Sequence, residues 1–242
     1  MDAKQTLVVM AVFILAGTVK GVTGMGLPTV AISLLGFWMA PSQAAALLVV
    51  PSLVTNLAQC RGPHARELVA TLWPMWLALA GATVWMPDLG DVISALSGQR
   101  LLGVVLLAYG LFGLWRPALP QIHQPAAWQC AIAGSITGLV VAATAIFVLP
   151  MVPFLQALRL SKDALVQALG LSFMVATLAL AVRLQASDEL LVSTPALLAL
   201  VMAVIGLQMG SRLRARVSAA SFQRMLFLAF VGLGASNLLR GA

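Results

Sequence analysis

Residues 16–28 read AGTVKGVTGMGLP, and they interrupt an apolar run that extends from Leu7 to Ala40. As one straight helix this run would measure about 50 Å, which exceeds the roughly 30 Å of a bilayer's hydrocarbon core. Glycines admit turn conformations and Pro28 removes a backbone donor, so the break belongs near the middle of the run. We predict that residues 7–40 fold back as a hairpin of two short helices.

A second over-long apolar run covers residues 126–158 and is broken around Gly134, Gly138 and Thr144. Its opening resembles that of the first run at an offset of 117, because AGSITG at 133–138 matches AGTVKG at 16–21. The last helices of the two halves also align, at an offset of 124, so that Gly110 falls on Gly234. A duplicated half is the economical explanation.

The composition excludes a soluble globular protein, since 61% of the residues are hydrophobic and only 9% are charged. The expected partner is therefore the lipid bilayer. The net charge of +7 fits Lys and Arg in cytoplasmic loops, so no nucleic-acid partner is expected. Two cysteines and two histidines lack the spacing of a metal site, and neither a metal nor a cofactor is expected.

These observations predict an all-α polytopic membrane protein of two inverted repeats, residues 1–120 and 121–242. Each repeat would contain one broken re-entrant helix hairpin and three transmembrane helices. The expected elements are the hairpin 7–40 with helices 43–60, 68–86 and 100–116, and the hairpin 126–158 with helices 163–182, 190–211 and 222–240.

The distribution of charges supports the hairpins. If both runs return to their own side, and Lys20 within the first run is left aside, one side of the membrane carries four basic and five acidic residues, and the other carries nine basic and two acidic residues. The positive-inside rule then places both termini in the periplasm. Inverted repeats of this kind build alternating-access carriers whose substrate binds near the membrane midplane.

Lys20 is the strongest single indication of function. It lies about 13 residues into the first half-helix, roughly 20 Å along it, where an unpaired cation is costly. No acidic residue falls at a comparable depth in the sequence, so a small anionic substrate is a natural partner. Alternatively, helix C-terminal carbonyls at the break satisfy Lys20, or its side chain reaches an interface.

Polar groups near Lys20 would bind the oxygens of such an anion. The turn and the start of the second half-helix offer backbone amides and hydroxyls, and a helix start binds oxyanions. Close helix packing is the alternative role of the glycines, and helix–helix hydrogen bonding that of the polar side chains. The predicted substrate-binding residues are Lys20, Thr23, Gly24, Gly26, Thr29, Ser52, Asn56, Thr137 and Thr144.

The residues at 16–28, APSQA at 40–44 and PSLVTN at 51–56, together with the duplication, resemble the sulfite exporter TauE/SafE family, also known as the toluene sulfonate uptake permease group. The resemblance implies a transporter of sulfur-containing oxyanions or other small organic anions in the bacterial cytoplasmic membrane. The second repeat departs from it, having VVAA at 140–143 where more glycines are typical.

The function favoured is a secondary transporter of small anions, with sulfite or an organosulfonate as substrate and alternating access as mechanism. An anion channel and a non-transporting membrane assembly subunit are the alternatives. An enzyme is not expected, because no catalytic set of side chains can be placed at one depth. A homodimer is left open.

Overall fold

The computed structural model describes residues 3–87, 98–115, 119–186, 192–213 and 219–240. These ranges contain ten α-helices and no strand, which confirms the all-helical fold class. The helices are α1 (Ala3–Thr23), α2 (Leu27–Leu35), α3 (Pro41–Cys60), α4 (Ala65–Trp85), α5 (Gly98–Trp115), α6 (Ala127–Thr144), α7 (Met151–Ala157), α8 (Lys162–Ala186), α9 (Thr194–Leu213) and α10 (Ala219–Arg240). Residues 116, 190 and 191, which the predicted helices include, lie outside the described residues.

Six of these helices, α1, α3, α4, α6, α8 and α9, are long and apolar enough to cross a membrane. Helices α5 and α10 contain shorter apolar segments, Arg100–Trp115 and Arg224–Leu239. Large apolar side chains such as Leu77, Ile132 and Met225 are exposed on the outside of the bundle, where lipid would cover them. The chain is therefore a multi-pass membrane protein.

The first over-long run is broken where the glycines predict. Helix α1 ends at Thr23, and Gly24 and Gly26 have φ angles of 82° and 97°. This left-handed region favours glycine because a Cβ would be crowded there. Gly26 is the N-cap of α2, and Pro28 follows in its first turn.

Helix α2 then runs back along α1. A methyl group added at Gly26 would lie 3.1 Å from a side-chain carbon of Val19, and the two helices pack against each other. Leu15 and Val19 of α1 line the same apolar cavity as Val30 and Leu34 of α2. Helix α1 has 21 residues, which makes it longer than the short half-helix expected. The difference arises because the helix also takes in the polar residues before Leu7.

The second over-long run ends its first helix differently. Ala145 lies in the left-handed region at a φ of 55°, and its amide donates to Val141 O at 2.8 Å. Residues 145–148 then continue without helix, and the short helix α7 follows. The backbone of α7 returns to the segment before α6, since Ile122 N donates to Ala157 O at 2.9 Å.

Close backbone contacts join each first hairpin helix to a helix of the other half. A methyl group added at Gly17 of α1 would lie 2.2 Å from Ala203 O of α9. The equivalent methyl at Gly134 of α6 would lie 2.1 Å from Met75 O of α4. Small residues allow this approach in membrane proteins. The two glycines correspond under the offset of 117, while the inverted orientation and the repeat bounds stay predictions.

Helices α5 and α10 pack against each other in the same reciprocal manner. A methyl at Gly103 would lie 2.9 Å from Gly234 O, and one at Gly110 would lie 2.9 Å from Phe227 O. Under the offset of 124, each of these contacts maps onto the other. Helices α3 and α8 also pack against each other, and α3 carries the polar side chains described next.

Candidate functional site

The ammonium group of Lys20 is buried where the end of α1 meets α3. The side chain is 2% exposed, and its Nζ donates to Asn56 Oδ1 and, at 3.1 Å, to Thr55 Oγ1. Of the described residues, only Glu67 and Asp163 carry a carboxylate, and both are exposed. Among the described residues the cation is thus bonded to neutral oxygens alone, although an ion buried in a protein is usually paired with an opposite charge.

The hydrogen bond to Lys20 determines the orientation of the Asn56 amide. An ammonium can only donate, so it faces the oxygen Oδ1 and leaves the amide nitrogen Nδ2 on the other side. Nδ2 is buried and has no hydrogen-bond partner in the described structure. The Thr55 hydroxyl is already used, since it donates to Pro51 O at 2.7 Å. Asn56 therefore presents a free donor beside the cation.

Two further buried hydroxyls lack partners. They belong to Thr29, in the first turn of α2, and to Ser52, which precedes Asn56 by one helical turn in α3. The first hydrogen bond within α2 runs from Val30 N to Gly26 O at 2.9 Å, so the amide of Thr29 has no acceptor inside the helix. The first turn of α2 therefore contributes an unpaired backbone amide at Thr29 and the positive end of the helix dipole.

Thr23 and Gly24 form the turn between α1 and α2. The Thr23 hydroxyl lies 2.9 Å from Val19 O and 2.7 Å from Met25 O, and it accepts a hydrogen bond from Met25 N. The Gly24 amide donates to Lys20 O at 2.7 Å. These polar groups satisfy the turn in this structure, and their role as ligands, like that of Gly26, stays a prediction.

Thr137 and Thr144 lie on α6, at the second hairpin. Thr137 takes the place of Lys20 under the offset of 117 and donates to Ala133 O at 2.7 Å. Thr144 donates to Val140 O and accepts from Ile146 N, as Thr23 does at the end of α1. The two hairpins thus share a hydroxyl at the turn, while only the first carries a cation.

Other buried polar groups of the second half have partners. The Gln167 amide of α8 donates to Cys60 O and Gly62 O and accepts from His64 N. Ser172 Oγ accepts from Trp76 Nε1 at 2.9 Å. These bonds join α8 to α3, α4 and the loop between them. The four buried side-chain atoms without partners in the described structure belong instead to Thr29, Ser52, Asn56 and Gln59.

Gln59 is the residue that sequence reasoning missed. Its Nε2 donates to Gly24 O at 2.7 Å, which joins α3 to the hairpin turn. A carbonyl oxygen can only accept, so Nε2 must face it, and Oε1 is left buried without a partner. The signal was present in the spacing, because Gln59 follows Thr55 by four residues and Asn56 by three, on the same helix face.

The chain matches the family described as Sulfite exporter TauE/SafE over residues 9–237. The match includes the first hairpin from Val9 onward, the whole second hairpin and every residue of the candidate site, and it confirms the resemblance seen at residues 16–28. No match was found among curated proteins or among solved structures.

Proposed function

The chain belongs to the sulfite exporter TauE/SafE family, a family of membrane transporters, and on this premise we propose that it is a secondary transporter of small anions. Sulfite or an organosulfonate is the proposed substrate. We place the protein in the bacterial inner membrane with both termini in the periplasm, as the distribution of basic residues favours.

The observation that carries this proposal is the buried cation of Lys20, together with unmatched donors on α2 and α3. Lys20 has no carboxylate among its described partners, and Thr29, Ser52 and Asn56 bury donor groups without acceptors. Each such group is destabilising until it is matched. An oxyanion would match them together, because it supplies a negative charge and several acceptor oxygens.

In the proposed mechanism, the anion binds between α1, α2 and α3. The third hydrogen of the Lys20 ammonium, the Asn56 amide and the Thr29 and Ser52 hydroxyls donate to its oxygens. When the anion leaves, the ammonium keeps its bonds to Thr55 and Asn56. These neutral partners lower the free-energy cost of burying the ammonium without an anion, so the site can release its substrate.

Alternating access is proposed as the transport mechanism. Helix α1 packs on α9 and α6 packs on α4 with backbones in contact, so each pair would move as one body. The substrate would then be exposed to one side and afterwards to the other. An anion channel would instead require a continuous polar pore.

The test is sulfite flux into liposomes containing the purified protein. Lys20→Ala should abolish flux, while Lys4→Ala should preserve it, because Lys4 is an exposed lysine at the start of the same helix. Normal flux through a correctly inserted Lys20→Ala protein would contradict the proposal. Saturation and counter-transport would support a carrier, whereas unsaturable flux would indicate a channel.

A further inference from the structure

We propose that Gln59 makes the site selective for monoanions that carry a hydrogen-bond donor of their own. This inference rests on the proposed function and adds a specificity residue to the same site. The favoured ligands would be sulfonates with a hydroxyl group, or oxyanions that retain an acid hydrogen such as hydrogensulfite.

Gln59 belongs to the junction that holds the ammonium group. Lys20 reaches α3 at Thr55 and Asn56, and Gln59, one helical turn later, reaches back to Gly24, four residues after Lys20. Both connections join the end of the first hairpin helix to one face of α3. A ligand held by Lys20 and Asn56 would therefore lie beside Gln59.

The position of the Gln59 side chain is constrained from both ends. Its amide nitrogen is bound to the Gly24 carbonyl at 2.7 Å. Its base lies against α8, where a methyl group added at Gly170 would be 2.6 Å from Gln59 Cβ. If Oε1 and Nε2 exchanged places, Oε1 would face the carbonyl oxygen of Gly24, and neither atom could donate a hydrogen bond. The orientation of the Gln59 amide is therefore fixed.

This oxygen differs in kind from the other unpartnered atoms. Thr29 Oγ1, Ser52 Oγ and Asn56 Nδ2 can all donate, whereas Gln59 Oε1 can only accept. A fully deprotonated oxyanion would match the donors and leave Oε1 unmatched, and a buried acceptor left unmatched is costly. A ligand with one donor hydrogen would match all four atoms.

The charge of the site agrees with this ligand class. Lys20 is the only charged side chain among the described buried residues. One cation neutralises a monoanion, whereas a dianion would carry an uncompensated negative charge into a buried site. Charge and hydrogen bonding therefore select the same class of anion.

The test compares two monoanions of similar shape, 2-hydroxyethanesulfonate and propane-1-sulfonate, which differ by a hydroxyl in place of a methyl. Their Kd values for the purified wild-type protein are measured by calorimetry, with sulfite as reference. We expect the hydroxyl compound to bind about 10-fold more tightly, the effect of one net hydrogen bond. Gln59→Met should reduce this preference to less than about 2-fold, while Gln43→Met, which changes an exposed glutamine of the same helix, should preserve it.

Equal Kd values for the two sulfonates in the wild-type protein would overturn the inference and leave the proposed function intact. The same conclusion follows if Gln59→Met keeps the preference, or if sulfite binds and neither sulfonate does. Binding of none of the three anions would overturn the proposed function as well. The wild-type comparison decides the question even if Gln59→Met fails to fold.

Discussion

The contact between Lys20 and Asn56 can be tested through the stability of the ligand-free protein. The changes are Lys20→Met, Asn56→Leu and the double variant, each replacing a polar side chain by an apolar one of similar size. In the structure the ammonium donates directly to Asn56 Oδ1, and both side chains are at most 2% exposed. The two single changes should therefore not be independent.

The expected magnitudes follow from which group each variant leaves behind. Asn56→Leu removes a buried hydrogen bond to a charged group and should cost about 1.5–3 kcal/mol. Lys20→Met leaves Asn56 Oδ1 without a donor, which lowers the free energy of unfolding by about 1–3 kcal/mol. The same change removes a buried ammonium group, which offsets part of this loss. The double variant leaves neither an unpaired charge nor an unmatched amide. Its loss should be smaller than the sum of the single losses by about 1.5–3 kcal/mol, within the coupling range of contacting residues.

The measurement is the denaturant-induced unfolding of the four proteins in detergent, combined as a double-mutant cycle. Lys4→Met with Asn56→Leu is the control cycle, because Lys4 lies instead over the ring of Trp38. The control changes should add to within about 0.5 kcal/mol. The interpretation of the site is refuted if the Lys20 and Asn56 changes are equally additive.

Two further predictions concern packing and the unmatched donors. Gly210→Ala should destabilise the protein by about 1–3 kcal/mol, because the added methyl group would lie 2.1 Å from Thr18 O. Gly232→Ala should be neutral or stabilising, because Gly232 has open space around it. Equal effects of the two changes on the unfolding temperature would contradict the packing of α9 on α1. Thr29→Val should raise stability by about 1 kcal/mol, since it removes a buried unmatched hydroxyl, and should weaken sulfite binding about 10-fold. Ser52→Ala should act in the same direction, and unchanged sulfite affinity in calorimetry for both variants would remove these hydroxyls from the site.

The sequence was sufficient to find Lys20 because a cation in an apolar run is conspicuous whatever the fold. The sequence was also sufficient to select Thr29, Ser52 and Asn56 as polar residues in apolar segments. It could not show that each of them buries a donor without a hydrogen-bond partner. The polar groups of Thr23 and Gly24 turn out to satisfy the turn itself. Gln59 was missed because a glutamine near a helix end resembles an interfacial residue until its contact is known.

Composition and helical length determined that this chain is an all-α membrane protein, and the glycines with Pro28 determined where its first long run breaks. These are local properties, since hydropathy and turn conformations depend on residues adjacent in the chain. The tertiary structure decided that Lys20 meets Thr55 and Asn56 and that Gln59 meets Gly24, pairs separated by 35 or 36 residues. Such partners depend on how each helix is rotated about its axis and shifted against its neighbours. That rotation is set by packing over the whole bundle, including the glycine contacts between α1 and α9.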